Sequence, residues 1–231
     1  MAGRISRRTV VLGGAFAAMG IGCGTNPFII PQLLLNGGKD ARVPAEYALK
    51  LPPKKSEAKV IVLVWSNSGL HPDLTGVDRM LNAELIQMLD ARLKENEEKV
   101  LVLKMPRIDE YKSENPNWRS VNPMDIGKTF GGDYVIDVEV QEMDLFKPGS
   151  RGQFLQGRAT VTVEAFDLSK PAIKDPAFKT DFTIEFPQGR EIPVESRGQV
   201  SEFRLKFVQR LASDISMKFS SSPADHRRRF E

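Results

Sequence analysis

Cysteine and histidine are nearly absent from this chain. Its 231 residues include one cysteine, Cys23, and two histidines, His71 and His226. A single cysteine cannot form an internal disulfide, and these three side chains cannot assemble a zinc site of the usual kinds. Glycine-rich phosphate-binding motifs and the Gly-x-Ser-x-Gly nucleophile elbow are missing as well. We therefore expect a domain that depends on its hydrophobic core, with no metal and no other cofactor.

A net charge of one sign is also lacking over most of the chain. Three of the 33 basic residues, Arg4, Arg7 and Arg8, lie within the first 22 positions, where there is no acidic residue. The remaining 30 basic residues are matched by 30 acidic ones. Domains that bind nucleic acid present an excess of positive charge, so we do not expect a nucleic acid as partner.

The first 22 residues have the layout of an export signal. Its arginines are followed by an apolar run over residues 9–22, and these 14 residues contain no charge. A helix that spans a membrane needs about 20 apolar residues, so a cleaved signal is the better interpretation. The segment Ser6-Arg7-Arg8-Thr9 also resembles a twin-arginine export signal. Arg7 and Arg8 are therefore candidate export residues, with the general secretory route as the alternative.

Cys23 follows this signal directly. The segment Gly20-Ile21-Gly22-Cys23 resembles the lipobox of bacterial lipoproteins, with Gly20 where leucine is typical. The resemblance implies that the chain is cleaved before Cys23 and that the thiol carries a lipid. The protein would then be held at a bacterial membrane, facing the periplasm or the cell exterior. An uncleaved anchor is the alternative, although Pro27 and Pro31 would interrupt a spanning helix.

The rest of the chain divides into three predicted regions. Residues 23–58 are rich in proline and glycine and are predicted to be a tether between the lipid and the domain. Residues 59–220 are the predicted single domain, and residues 221–231 are a predicted disordered tail that includes three consecutive arginines, Arg227 to Arg229.

The domain has the sequence pattern of an α/β fold. Apolar residues recur at helical spacing over about 76–96 and 200–219, and a short helix is predicted at 124–130. Pro106 and the polar residues after it favour a surface loop over 107–123. Apolar runs and alternating patterns predict strands at 60–65, 100–103, 134–140, 159–165 and 178–186. We expect one mixed sheet of about five strands, packed with two long helices and one short helix.

A candidate ligand loop follows the first predicted strand. It contains Ser66, Asn67, His71 and Asp73 at the carboxyl end of that strand, where ligands often bind in α/β folds. His71 and Asp73 could form an acid/base pair, or the loop could simply be solvated. No nucleophile or oxyanion donor can be named, so we do not expect an enzyme. Trp65 and Trp118 each offer a flat apolar face to which a sugar or a peptide could bind. The alternative for both is packing within the protein.

Two segments resemble a group of bacterial envelope proteins. They are Phe130-Gly131-Gly132-Asp133-Tyr134-Val135-Ile136, which leads into a hairpin, and Val161-Thr162-Val163-Glu164-Ala165-Phe166-Asp167. Both are similar to segments of the curli-secretion lipoproteins and of the lipoprotein activators of penicillin-binding proteins. Transmembrane strands need about 9 to 11 alternating residues each, and the connection over 145–154 is too short for the added pore-forming hairpins.

The resemblance implies an accessory role. We expect a membrane-anchored module that binds another envelope protein or a cell-wall component without catalysis. One alternative is a small-ligand-binding or hydrolytic domain that uses the loop from Ser66 to Asp73. Another is a subunit of a homo-oligomeric ring associated with secretion.

Overall fold

The computed structural model describes residues 42–66, 72–170 and 175–223. These residues all belong to one compact unit. The predicted signal peptide with Arg7 and Arg8, and the lipidation site Cys23, lie outside the described residues. So do Asn67 and His71 of the candidate ligand loop, and the arginines of the tail.

Eight strands and four α-helices form the described part of the chain, and the prediction of one mixed α/β domain is confirmed. The strands are β1 (Arg42–Val43), β2 (Ala58–Ser66), β3 (Val100–Val102), β4 (Tyr134–Phe146), β5 (Phe154–Asp167), β6 (Phe178–Phe186), β7 (Ile192–Pro193) and β8 (Ser222–Pro223). The helices are α1 (Val77–Glu95), α2 (Met105–Glu114), α3 (Pro123–Thr129) and α4 (Arg197–Phe219), and short 3-10 turns lie at Pro72–Leu74 and Trp118–Ser120.

The main sheet has the strand order β3-β2-β4-β5-β6, and β7 adds to one end of β5. Strand β2 runs parallel to β3 and β4, whereas β4, β5 and β6 form an antiparallel meander. Parallel neighbours need crossover connections, and helices α1, α2 and α3 provide them. The sheet is therefore α/β in its first half and antiparallel in its second.

The two faces of the sheet bury separate cores. Helices α1 and α4 cover one face, where Phe207 is fully buried and stacks on Phe186 with 6.2 Å between ring centroids. Gly157 lies beneath this ring, because a Cβ atom there would come within 2.8 Å of it. On the opposite face, Ile108 of α2 and Ile126 of α3 belong to a smaller core. This smaller core also includes Val135 of β4 and Phe166 of β5.

The segment Gly131-Gly132-Asp133-Tyr134 connects the beginning of β4 to the beginning of β2 and to the chain before it. Asp133 is buried and accepts hydrogen bonds from the Lys59 backbone N–H at 2.9 Å and from Lys55 Nζ at 2.5 Å. A Cβ atom on Gly132 would lie 2.0 Å from Ile61 Cδ1, so a larger residue there would force the Ile61 side chain to move. The hydroxyl of Tyr134 donates to the Lys50 carbonyl at 2.9 Å. This motif therefore has a structural role in this chain.

The prediction of a surface loop over 107–123 is wrong. Most of that segment is helix α2 and the 3-10 turn at Trp118–Ser120. Pro106 does not prevent a helix here. It lies in the first turn of α2, where its missing N–H would have had no hydrogen-bond partner within the helix. Ile108 and Trp118 anchor the segment to the smaller core.

The domain extends further at both ends than the predicted boundaries of 59 and 220. Residues 42–57 pack on the domain, since Tyr47 donates its backbone N–H to the Lys218 carbonyl at 2.8 Å and stacks on Phe178. Ser222 is buried, and β8 pairs with β1 in an antiparallel ladder. Prolines prevent regular structure in this segment but not side-chain packing. Across residues 42–66, 72–170 and 175–223, no helix is both long and apolar enough to cross a bilayer.

Candidate functional site

Only part of the predicted ligand loop can be placed. Ser66 is the last residue of β2, and Asp73 lies exposed in the 3-10 turn that leads into α1. Both lie near the carboxyl end of the first long strand, as predicted. The described residues next to this loop nevertheless include a richer set of functional groups, on the face of the sheet that α2 covers.

Trp65 and Asp137 meet on neighbouring parallel strands. Trp65 is half-buried at the end of β2 and directs its Nε1–H towards Asp137 Oδ2 on β4, at 3.4 Å. Burial raises the pKa of Asp137 to about 7, although the Trp65 hydrogen bond and the charge of Lys112 oppose the shift. This carboxyl group therefore changes protonation near neutral pH, which is unusual for an aspartate.

Helix α2 brings Lys112 to the same place. Its Nζ donates to the Val64 carbonyl of β2 at 3.1 Å and lies 4.3 Å from the ring centre of Trp118. Burial lowers the pKa of the Lys112 amine, while the charges of Asp78, Asp109 and Asp137 act in the opposite direction. The cation is thus held over an aromatic ring and a carbonyl, with limited access to water.

Arg119 completes the group. Its guanidinium carbon lies 5.9 Å from the ring of Trp65 and 5.9 Å from that of Trp118, and the residue is exposed. We call Trp65, Lys112, Trp118, Arg119 and Asp137 the tryptophan cluster. It combines two indoles, two cations and a carboxyl group at one edge of the smaller core.

The polar surface of the sheet continues from this cluster towards β6. Gln141 Nε2 donates to Thr162 Oγ1 at 2.7 Å, and that hydroxyl donates to Asp181 Oδ1 at 2.6 Å. Glu139 and Glu164 lie on the same face of β4 and β5. Gln141 and Asp181 are exposed. The tryptophan cluster therefore borders a polar sheet surface that is rich in hydrogen-bonding groups.

An open cleft lies on the other side of Lys112, between α1 and α2. It has a volume of about 600 Å³, and its lining includes Asp78, Arg79, Asn82 and Asp109. Arg79 and Asp109 form an ion pair across it at 3.0 Å. Asn82 Oδ1 is buried without a hydrogen-bond partner among the described residues. Neither Ser66 nor Asp73 of the predicted ligand loop is among the residues that line this cleft.

Sequence reasoning found part of this site. Trp65 and Trp118 were candidates for a binding surface, and the structure brings them together around Arg119. Asp137 was predicted only as a residue of a wet sheet face, and Lys112 as part of a loop. A signal for Asp137 was present in its place on β4, which lies next in the sheet to the strand that carries Trp65. Lys112 was not recognised as a site residue because the helix that carries it was predicted to be a loop.

No known family model and no curated protein matches this chain. Several solved structures are similar to it. Lipoprotein GNA1162 from Neisseria meningitidis is 14% identical, with a TM-score of 0.41 over 67% of this chain and 98% of its own. Protein XCC0632 from Xanthomonas campestris is 10% identical, with a TM-score of 0.43 over 74% and 91%. The minor lipoprotein from Acinetobacter baumannii is 14% identical, with a TM-score of 0.36 over 70% and 89%. Bacterial lipoproteins are thus among the proteins to which this chain is similar, and these values do not assign it to a family.

Proposed function

We propose that the protein is exported, anchored to a bacterial membrane by a lipid on Cys23, and acts there as a non-catalytic module that binds another envelope protein or a cell-wall component. The anchor is supported by Gly20-Ile21-Gly22-Cys23 directly after an uncharged apolar run. The folded domain then lies outside the cytoplasm, facing the periplasm or the cell exterior.

The observation that carries the binding role is the exposed Arg119 beside two indoles. Tryptophan and arginine are the residues that most often dominate the energy of protein interfaces. Both indoles are already positioned by the fold, since Trp118 is buried in the smaller core beside Arg119 and Trp65 is the second-last residue of β2. A partner would contact Arg119 and the accessible part of Trp65, and ordering these side chains would cost little entropy. The adjoining polar sheet surface supplies hydrogen-bonding groups around this centre.

A second candidate function is small-ligand binding or hydrolysis in the cleft between α1 and α2. It is favoured by Lys112, which lines the cleft and whose pKa burial lowers towards the range in which bases act at neutral pH. Asp137, with its raised pKa, lies on the other side of Lys112 and not in the cleft lining. Among the described residues no hydroxyl group forms a hydrogen bond with either side chain, as an activated nucleophile would, so we rank this function second.

The anchor is tested with a Cys23→Ser variant. We expect the native protein to fractionate with membranes and to have the mass of a chain that begins at Cys23 and carries lipid. The variant cannot form the thioether, so it should lose both properties. Membrane fractionation and intact mass are the measurements. A native chain that keeps its leader and has no lipid would overturn the anchor.

The binding role is tested by site-specific photo-crosslinking in cells. A photoreactive amino acid at Ser120, next to Arg119, should give one dominant adduct, and the same group at exposed Lys99 should not. Arg119→Glu should abolish the adduct, because it reverses the charge between the indoles. Retention on isolated cell-wall material would distinguish a cell-wall component from a protein.

Two negative results together would exclude this binding role. If the Ser120 probe gives no adduct that depends on Arg119, and isolated cell-wall material does not retain the protein, the binding role through this surface is excluded. A small molecule that co-purifies with the native protein but not with a Lys112→Met variant would then favour the second candidate.

A further inference from the structure

Strand β6 is a long edge of the main sheet. It pairs with β5 along one side over Phe178–Phe186, and its other side has no strand partner among the described residues. Edge strands of this length usually carry a device that prevents pairing, such as a proline, a bulge or a charge pointing inwards. The nine residues of β6 contain no proline, and the register with β5 runs without a bulge. The protective device that β6 does carry is charge, at Lys179, Asp181 and Glu185, so this edge is open only to a strand whose charges complement these.

The two faces of β6 differ in chemistry. One face carries the exposed residues Lys179, Asp181, Thr183 and Glu185, which continue the polar sheet surface. The other face carries half-buried residues that extend the larger core, and they are Phe178, Thr180, Phe182, Ile184 and Phe186. A strand that adds to this edge must therefore have the same alternation, with aromatic or aliphatic residues on one face and polar residues on the other.

The charges of β6 are arranged symmetrically about Phe182. Lys179 lies three residues before it, and Glu185 three residues after it. On β5, Glu164 is opposite Lys179 and binds its Nζ at 2.7 Å, and Arg158 is opposite Glu185. An antiparallel copy of β6, centred on the same phenylalanine, would therefore place a negative charge next to Lys179 and a positive charge next to Glu185.

We propose that the β6 edge binds the β6 edge of a second copy of this chain, antiparallel, with Phe182 opposite the partner's Phe182. Lys179 then faces the partner's Glu185. Glu164 and Lys179 of one copy and Glu185 and Arg158 of the other would then form a row across four neighbouring strands. In the order Glu164, Lys179, the partner's Glu185 and the partner's Arg158, the charges alternate in sign at every step. Because the interface is two-fold, the same row occurs twice.

The half-buried face of β6 would also form favourable pairs in this register. Phe178 would lie opposite the partner's Phe186, and Thr180 opposite the partner's Ile184. Directly opposed aromatic residues in antiparallel strands stabilise the pair. The half-buried side chains of β6 would thereby gain cover on their outer side, and the two larger cores would become continuous.

Other registers are disfavoured by the same residues. A slip of two positions in one direction places Asp181 opposite the partner's Asp181, and a slip in the other direction places it opposite the partner's Glu185. Like charges directly opposite each other are destabilising. A shift of the pairing by one position puts Asp181 opposite the partner's Phe182 and joins a polar face to an apolar one. Among pairings within two positions of full overlap, the sequence of β6 therefore favours one. A slip of four positions would place Lys179 opposite the partner's Asp181 but would leave only five residues of each strand paired.

A pairing of this kind closes on itself as a dimer. It differs from the head-to-tail contacts that build a ring, because both copies use the same surface. Nine residues make a small interface, so the dimer should be weak at low concentration and favoured where the chains are confined together. The interface lies at the opposite edge of the sheet from β2 and β3 and leaves Arg119 accessible.

The test uses two charge reversals in the full chain. Lys179→Glu and Glu185→Lys each place like charges opposite each other twice in a homodimer, and each should weaken dimerisation by about tenfold or more. In a mixture of the two variants, the acidic side chain introduced at position 179 of one chain faces the basic side chain introduced at position 185 of the other. The second pair of the heterodimer is the native Lys179 with the partner's Glu185. We therefore expect the mixture to form heterodimers as well as the native chain forms homodimers.

Dimers are measured by native mass spectrometry of the detergent-purified protein over a concentration series, with two tags of different mass marking the variants. Lys104→Glu and Glu114→Lys are exposed charge reversals away from β6 and should have no effect. A chain that is monomeric at every concentration would overturn the proposal. So would single variants that dimerise normally, or a mixture that does not recover. Circular dichroism of each variant beforehand shows that it is folded, so that misfolding does not account for a loss of dimers.

Discussion

Phe207→Ala is expected to lower the free energy of unfolding by about 3 to 5 kcal/mol, the range for removing a fully buried phenylalanine. Phe207 has no exposed surface and packs in a triangle with Phe203 and Phe186, whose ring centroids lie 6.4 and 6.2 Å from its own and 5.7 Å from each other. Phe203 and Phe207 are among the side chains that pack helix α4 into the larger core. Urea unfolding followed by circular dichroism measures the change.

The glycine beneath the ring provides a sharper version of the same experiment. Gly157→Ala should cost about 1 to 3 kcal/mol in the native chain, because its Cβ would lie 2.8 Å from the Phe207 ring. In the Phe207→Ala background this cost should largely disappear, since the obstructing ring has gone. Leu205→Ala is the control, because Leu205 is 40% exposed on the same helix. Additive effects of the Gly157 and Phe207 substitutions would contradict the packing described here.

Asp137→Asn is expected to stabilise the protein at alkaline pH and to have a much smaller effect at pH 4. Burial raises the pKa of Asp137 from 3.8 to about 7, so the fold favours the protonated carboxyl group. The native chain therefore loses stability as the pH rises from about 4 through about 7, because the folded state then has to hold a buried negative charge. A shift of this size corresponds to roughly 4 kcal/mol between the two ends of the window. Asparagine keeps an acceptor for Trp65 without ionising.

Unfolding free energies of the native chain and the variant at pH 4, 5.5 and 8 give the measurement. The difference should grow with pH and level off above about 8. Asp144→Asn removes an exposed carboxylate from the same strand and should change stability by less than about 0.5 kcal/mol at each pH. A difference between Asp137→Asn and the native chain that does not vary with pH would show that the fold leaves the pKa of Asp137 at its ordinary value.

Periodic segments allowed most of the fold to be predicted. Val60 to Trp65 is an uninterrupted apolar run, and the helix over 200–219 places Phe203, Phe207 and Leu211 on one face, so each pattern has one reasonable solution. Helix α2 was missed because its buried surface consists largely of Ile108, and a single apolar residue produces no periodicity. The interactions that define it are tertiary, since Lys112 and Tyr111 find their partners on β2 and next to α3 only after folding.

The candidate site could be predicted only in part for a related reason. The two tryptophans are recognisable as residue types, but Asp137 differs from Glu139 only in its surroundings, because it lies beside Leu63 of β2 beneath α2. The aspartate whose pKa burial raises to about 7 was therefore hidden in an ordinary alternating strand. The resemblance to the curli-secretion and penicillin-binding-protein activator lipoproteins stays a prediction, although the step through Asp133 now has a structural explanation.

The short ladder between β1 and β8 has a mechanical consequence. Arg42 is opposite Pro223, and these are the described residues closest to the two chain ends. A force that entered at residue 42 and left at residue 223 would act on the end pair first and open the ladder one pair at a time. The force would reach the long β4–β5 hairpin only after the β1–β8 ladder had opened and the segment over 44–57 had been pulled away from the domain. A tension applied to the two ends of the described chain would thus be taken up first at the edge of the domain, while the sheet that carries the tryptophan cluster kept its shape.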